Sequence, residues 1–235
     1  MPVDILWTGG WDSTYRILDL AINKNRSVQP YYVIDNGRQS TKIELRTMNE
    51  IKQMILELNP SSKILDTIII KIQDISQNTM ITNMYNSILV NNFIGKQYEW
   101  LAKYALSEGL SDLELCIHLD DKAQKVIIND VEKINETNDS YYKIKSDYTN
   151  PNMKLFSFYK FPVLDMTKIE MAEKAKEYGF DHIMEKTWFC HTPINGKPCG
   201  MCNPCKYTRE EGLGRRVPNP SLFDKMKRKI DQKLA

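Results

Sequence analysis

Apolar positions along this chain fall in short blocks whose spacing switches between strand-like and helix-like periods. Val3 to Trp7 is an apolar run that predicts a buried strand, and it stops at Gly9 and Gly10. Beyond the glycines, Tyr15, Leu18, Leu20 and Ile22 take helical spacing. Val28 to Asp35 predicts a second strand, with Pro30 tolerated near its start. From Thr41 to Leu58 the apolar residues Ile43, Leu45, Met48, Ile51, Met54 and Ile55 predict a helix, which Asn59-Pro60 ends. The β-branched run within Ile64 to Ile72 suits a strand buried on both faces. A helix follows over Ile94 to Leu110, stopped near Gly109, then a short strand over Leu113 to His118. Ala123 to Ile134 and Thr167 to Tyr178 are again helical, the second with Gly179 as its C-cap. Alternation of this kind predicts an α/β domain, a parallel sheet with helices on both faces.

Two stretches stand outside the alternation. Asn135 to Asn152 is polar and predicts a long loop, either a mobile surface insertion or a lid whose Tyr141 and Tyr142 stack on a flat base. The tail residues Leu222, Phe223, Met226, Ile230 and Leu234 are spaced mostly by four among lysines, which predicts a packed C-terminal helix.

Composition narrows the class without choosing a chemistry. A chain of 235 residues suits one α/β domain with an appendage, large enough to need no disulfides. Its formal charge of +2 gives no electrostatic case for a nucleic-acid surface. No apolar run approaches the roughly 20 residues that span a bilayer, and no signal peptide is visible, so a soluble cytoplasmic protein with reduced thiols is expected.

The first strand-to-helix junction carries the strongest chemical signal, Thr8-Gly9-Gly10-Trp11-Asp12-Ser13-Thr14. A strand that turns on glycines into a helix presents bare backbone N–H groups and the positive end of a dipole, an anion site. Gly9 and Gly10 let a phosphate approach the backbone, and Thr8, Ser13 and Thr14 add hydroxyls. No Gly-Lys-Ser/Thr follows, which excludes the P-loop of ordinary kinases and GTPases. The competing structural reading is a glycine turn before an ordinary capped helix. In such sheets, ligands bind beyond the C-terminal strand ends, where this loop must lie.

A second signal lies near the C-terminus, where Cys190, Cys199, Cys202 and Cys205 fall within one short stretch among glycines and prolines. Two overlapping C-x-x-C steps and a fourth thiol suit a closed, structural tetrahedral zinc site. Disulfides are disfavoured in a reducing compartment, and an iron–sulfur cluster shares the spacing. His191 could replace one thiol, although four cysteines suffice.

Together the two signals point to one family. The Thr-Gly-Gly-x-Asp-Ser loop resembles that of the PP-loop ATP pyrophosphatases. With Thr187-x-x-Cys190…Cys199-Gly200-x-Cys202-x-x-Cys205 the chain resembles the 7-cyano-7-deazaguanine synthases over nearly its whole length. Asp35-Asn36-Gly37-Arg38-Gln39 and the stretch Phe161 to Lys168 are weaker matches to the same family. The sequence departs from it at Ile94–Tyr98, at Cys116–Lys122, and at Arg209, which stands four rather than three residues after the last cysteine.

The resemblance implies a Rossmann-like adenine nucleotide alpha hydrolase fold over residues 1–186 and a zinc-binding element with a terminal helix over 187–235. It implies ATP, Mg²⁺ and Zn²⁺ as cofactors, a carboxylated deazapurine and ammonia as small-molecule substrates, and a homodimer. Thr8, Gly9, Gly10, Asp12, Ser13, Thr14 and Arg38 would hold the nucleotide, and Asp12 would orient the loop or bind Mg²⁺. Lys168, ahead of Arg38 and Arg209, would offset the charge of departing pyrophosphate. Asp12, Ser13 and Lys168 are thus the expected catalytic set.

Adenylation of a carboxylate, amide formation with ammonia and a second adenylation would give a nitrile. The departing segments keep a diverged version open, in which the activated deazapurine goes to another amine on a protein or nucleic acid. A non-catalytic zinc-stabilised binding module is a third reading. Thiolating relatives need an active-site cysteine, and only Cys116 is free for that. None of His118, His182 and His191 has an evident nucleophilic partner; His118, near the expected pocket, reads as a partly buried structural histidine and Cys116 as a small buried hydrophobe.

Overall fold

The computed structural model describes residues 1–35 and 37–220. Strand β1 (Val3–Leu6) runs into helix α1 (Trp11–Leu18), and β2 (Val28–Ile34) into α2 (Thr41–Leu58). There follow β3 (Ile68–Lys71), α3 (Thr79–Leu89), α4 (Gln97–Ser107), β4 (Leu113–Glu114) and α5 (Lys122–Ile127). A hairpin of β5 (Val131–Glu136) and β6 (Asp139–Ile144) precedes β7 (Tyr159–Lys160), α6 (Lys168–Glu177), α7 (Asp181–Met184) and α8 (Asn203–Thr208). The main sheet has the order β3-β2-β1-β4-β7, and every pairing in it is parallel. The expected α/β class with a parallel sheet is therefore present.

Each face of the sheet buries its own apolar cluster. Ile5, Trp7, Ile17, Met48, Ile51 and Met171 join β1 to α1, α2 and α6. Tyr31, Val33, Ile81, Leu101, Leu113 and Phe156 join the strands to α3 and α4 on the other. Because β1 lies centrally, its loop emerges at the middle of the sheet's C-terminal edge, flanked by β2 and β4.

Four local expectations are corrected. The Ile64–Ile72 run is a short edge strand, with Ile68 39% and Ile69 45% exposed, because β3 pairs only with β2. The strand expected over Leu113–His118 is confined to Leu113–Glu114. The helix expected over Ala123–Ile134 stops at Ile127, and Val131 onward is strand. The loop expected over Asn135–Asn152 is largely the β5–β6 hairpin, paired from Val131↔Ile144 to Glu136↔Asp139.

The hairpin is not a lid over the nucleotide loop. Tyr142 and Phe161 exchange backbone hydrogen bonds (3.1 and 2.9 Å), and Asp139 at the start of β6 accepts from Arg16. The helix expected around Leu222 to Leu234 lies outside the described residues.

Candidate active site and metal centre

The turn between β1 and α1 is built as an anion site. Gly10 is the N-cap, in extended backbone at φ −77° and ψ 168°, and no side chain caps the helix. The first N–H groups of α1 are thus left for a ligand. Gly9 sits at φ +70°, and a Cβ there would lie 3.2 Å from Thr47 and 3.3 Å from Met48. Only glycine meets both the turn and the close approach of α2.

Gly9 therefore shapes the loop by packing, while Gly10, Thr8 and Asp12 line two adjoining cavities of about 270 and 170 Å³. Ser13 lines the larger cavity. Thr14 is a correction. It is fully buried, and its hydroxyl accepts from Trp7 Nε1 at 2.9 Å, so it ties the helix to the core and lines neither cavity.

The larger cavity lies at the C-terminal ends of the strands. The loop forms one wall, and Tyr31, Val33, Tyr98, Trp100, Leu101 and Ile117 give it apolar surface. Arg38 lines both cavities and stays near Glu44, at 3.5 Å, whose carboxylate also accepts from Tyr32 and Ser40 at 2.6 Å each. Gln97, Tyr98, Cys116, Ile117 and Asp121, from the segments that depart from the family, form part of its wall. Burial pushes the Cys116 thiol well up, which disfavours the thiolate.

Beside the loop stands a charged cluster gathered from four parts of the chain. Asp12 Oδ2 lies 3.7 Å from Lys168 Nζ and 3.6 Å from His118 Nδ1. Lys168 Nζ donates to Glu211 Oε2 at 2.8 Å, and His118 Nε2 is 3.3 Å from Glu211 Oε1.

Burial works against the charge on Glu211, yet the His118 hydrogen bond and the Lys168 charge outweigh it and bring its carboxyl down to about 2. Burial likewise opposes charge on Lys168 and on His118, and the Asp12 and Glu211 carboxylates raise both all the same. Asp12 Oδ1, His118 Nδ1 and Trp11 Nε1 are buried without hydrogen-bond partners among the described residues. Such atoms are costly unless a ligand meets them.

Lys168 is therefore at the loop, as the resemblance implies. Arg209 is not available there, because its guanidinium donates to the carbonyls of Gly200 and Pro218 at 2.8 Å each. Arg216 takes a place beside the smaller cavity instead. It lies over the Trp11 and Phe189 rings at 4.9 and 5.3 Å and donates to the Thr187 carbonyl. Burial brings its guanidinium down to about 10. Sequence reasoning missed Glu211 and Arg216, and took His118 for a purely structural residue. The only signal for Glu211 was an acidic pair, Glu210-Glu211, before a glycine in the tail.

The four cysteines form a compact buried group, with all four Sγ atoms within 4.8 Å of one another. The Sγ atoms are 3.4 Å apart for Cys202–Cys205, 3.8 Å for Cys190–Cys202 and 3.9 Å for Cys199–Cys205. A zinc tetrahedron with bonds of about 2.3 Å puts sulfurs about 3.8 Å apart, so the donor set fits. Backbone N–H groups of Met201 and Cys202 also point at Cys199 Sγ, at 3.4 and 3.3 Å, as suits a thiolate. His191 is not a member of the group; it lines both cavities. The cluster meets the loop directly, since Trp188 N donates to the Gly9 carbonyl at 2.8 Å and Trp188 Nε1 to that of Cys190 at 2.7 Å.

A larger cavity of about 730 Å³ lies on the far side of α1, against Arg16 and the hairpin. Its buried charges pair among themselves, and it offers no bare helix N-terminus, so it is the weaker site. Among the described residues no helix is long and apolar enough to cross a membrane.

Comparison with known proteins agrees with this arrangement. A family model described as queuosine biosynthesis protein QueC matches residues 3–216, which include the loop, the charged cluster and the four cysteines. No curated protein matches the chain.

Proposed function

Because the chain belongs to the QueC family, ATP-dependent enzymes of 7-cyano-7-deazaguanine synthesis, we propose that it adenylates a 7-carboxy-7-deazaguanine-type carboxylate and passes it to ammonia, forming AMP. The observation that carries this reading is the union of an uncapped Gly10–Ser13 helix start with Lys168 beside one cavity system.

The α1 N–H groups and the Ser13 hydroxyl hold the β and γ phosphates, with Thr8 and Arg38 at the rim. The substrate carboxylate oxygen attacks the α phosphorus, the bond to the bridging oxygen breaks, and pyrophosphate leaves. Lys168 offsets the negative charge gathering on that leaving group. Ammonia then attacks the acyl carbon and AMP departs with the electron pair, leaving an amide. A second adenylation, on the amide oxygen, followed by loss of AMP and protons, gives the nitrile. The chain's share of catalysis is positioning and charge stabilisation, since ATP supplies the leaving groups.

Asp12 suits a magnesium ion on the phosphates, because its Oδ1 is buried without a partner among the described residues. Mg²⁺ would supply charge neutralisation there. Zinc would be structural, held by Cys190, Cys199, Cys202 and Cys205. By family resemblance the assembly is a homodimer in the cytoplasm, with a nucleotide domain over 1–186 and the zinc element after it.

A second reading rests on one observation: the segments that differ from the family, at Gln97–Tyr98 and Cys116–Asp121, line the cavity itself. The amine acceptor then differs from ammonia. One assay separates the two. The zinc-loaded protein is incubated with Mg-ATP, ammonium and 7-carboxy-7-deazaguanine, and products are identified by mass spectrometry. Nitrile with AMP and pyrophosphate supports the first reading. Accumulating adenylate with pyrophosphate supports the second, accumulating amide means that ammonia is accepted and the nitrile step does not follow, and absence of pyrophosphate sinks both.

A further inference from the structure

We propose that Glu211 is a positioning residue through which the four-cysteine element holds Lys168 at the nucleotide loop. This goes one step beyond the activity above and rests on it for the role of Lys168.

Glu211 stands six positions after Cys205, on the turn that continues α8 out of the cysteine cluster. That turn departs from helical backbone at Glu211 (φ −84°, ψ 16°) and Gly212 (φ +83°, ψ 2°). The segment is anchored at its start by Arg209 on the Gly200 and Pro218 carbonyls. The carboxylate it delivers is only 13% exposed, and each oxygen meets a different group, Lys168 Nζ and His118 Nε2. With Asp12 on its other side, the Lys168 ammonium is held between two carboxylates.

A long lysine side chain loses rotamer freedom when fixed, and here that loss is met before substrate arrives. The turn also packs against a side chain at the start of α6. A Cβ on Gly212 would fall 2.4 Å from Cδ1 of Ile169, the residue after Lys168. The turn after α8 and the start of α6 are therefore in van der Waals contact beside the Lys168–Glu211 pair.

The position is also chain-specific chemistry rather than bulk. His118, Asp12, Lys168 and Asp121 are the titratable groups that act on one another here, and Glu211 is the one that bridges Lys168 and His118. Removing it leaves Lys168 with Asp12 alone, at 3.7 Å.

The test uses the full, zinc-loaded chain with Glu211→Gln and Gly212→Ala. The first removes the charge; the second displaces the segment without touching either charge. Three quantities are read: zinc per chain, the kcat and KM of AMP formation, and the acylation rate of Lys168 by an amine-reactive reagent. The expected result is full zinc content, a kcat lower by about 10²-fold in Glu211→Gln with KM for Mg-ATP little changed, and several-fold faster acylation of Lys168. Gly212→Ala should shift both readouts the same way by less, and Glu211→Asp should restore part of each.

Unchanged Lys168 acylation in Glu211→Gln overturns the proposal. So does loss of zinc in that variant, since Glu211 would then be a structural member of the cysteine element. If the wild type forms no AMP from the deazapurine, the proposed substrate fails, while acylation and zinc content still decide the role of Glu211.

Discussion

The two ends of α1 treat charge in opposite ways. Asp12, in the first turn, keeps one carboxylate oxygen buried without a partner among the described residues and faces His118 and Lys168 at 3.6 and 3.7 Å. Arg16, in the last turn, is saturated. Its Nε and one terminal nitrogen take Glu114 at 2.8 and 2.6 Å, and its terminal nitrogens take Asp139 at 2.9 and 2.5 Å. Asp19 and Lys24 complete that network. Burial works against the Arg16 charge, but the Glu114 and Asp139 carboxylates hold it firmly protonated. One helical turn thus separates a group left open for a ligand from a group closed by its own protein. The closed end fixes the hairpin and β4 to α1, and that fixed frame lets the open end stay unsatisfied.

The largest expected effect comes from breaking the closed end. Arg16→Met strands Glu114, 2% exposed, without its cation and leaves Asp139 with Lys24. Removing one partner of a buried ion pair costs about 3–5 kcal/mol, to be measured by denaturant unfolding. Adding Glu114→Gln should recover part of the loss, because one uncompensated buried charge is then removed. AMP formation per folded molecule should stay near wild type in both. A loss of activity beyond the folded fraction would mean that the two ends are coupled.

Asp12→Asn tests the open end, and its effect should fall on rate rather than on stability. The variant keeps the shape of the side chain and loses the charge that meets Lys168, His118 and the incoming metal–nucleotide. AMP formation should drop by about 10²–10³-fold, within the range for removal of one charge-stabilising group. Unfolding free energy should move by less than about 0.5 kcal/mol. If instead Asp12→Asn unfolds the protein and leaves turnover intact, the contrast between the two ends is wrong.

How legible each end was in the sequence follows the same division. Thr8 to Ser13 and the four cysteines were readable because their chemistry lies in local spacing, and family resemblance added Lys168. Glu211 was not readable, since it meets Lys168 across 43 residues and His118 across 93. No periodicity encodes a meeting of that kind. Thr14 misled because a hydroxyl one position past Ser13 on a helix turns inward, to Trp7. The hairpin misled for a different reason. Its strands are exposed or half-buried apart from Val131 and Tyr141, so neither shows a clean two-residue alternation. Val126, Ile127 and Val131 satisfy helical spacing as well, and sheet partners decided the outcome only in three dimensions.

The smallest effect sharpens the comparison most, because it acts on both stability and placement of one catalytic candidate. Thr167 caps α6, with its hydroxyl accepting from Glu170 N at 3.2 Å and its own N–H donating to Glu170 Oε2 at 2.7 Å. Lys168 is the first residue of that helix. Thr167→Ala removes the cap and should lower stability by about 1 kcal/mol. If the helix start placed the lysine, turnover would fall along with it. The Nζ atom, however, is fixed at its far end, between Asp12 and Glu211. A tether at the tip limits how far a loosened base can carry the charge. Turnover should therefore change by less than about twofold at temperatures where the variant is folded. Combining Thr167→Ala with Glu211→Gln removes both constraints, and the pair should lose more rate than the two single losses multiplied together.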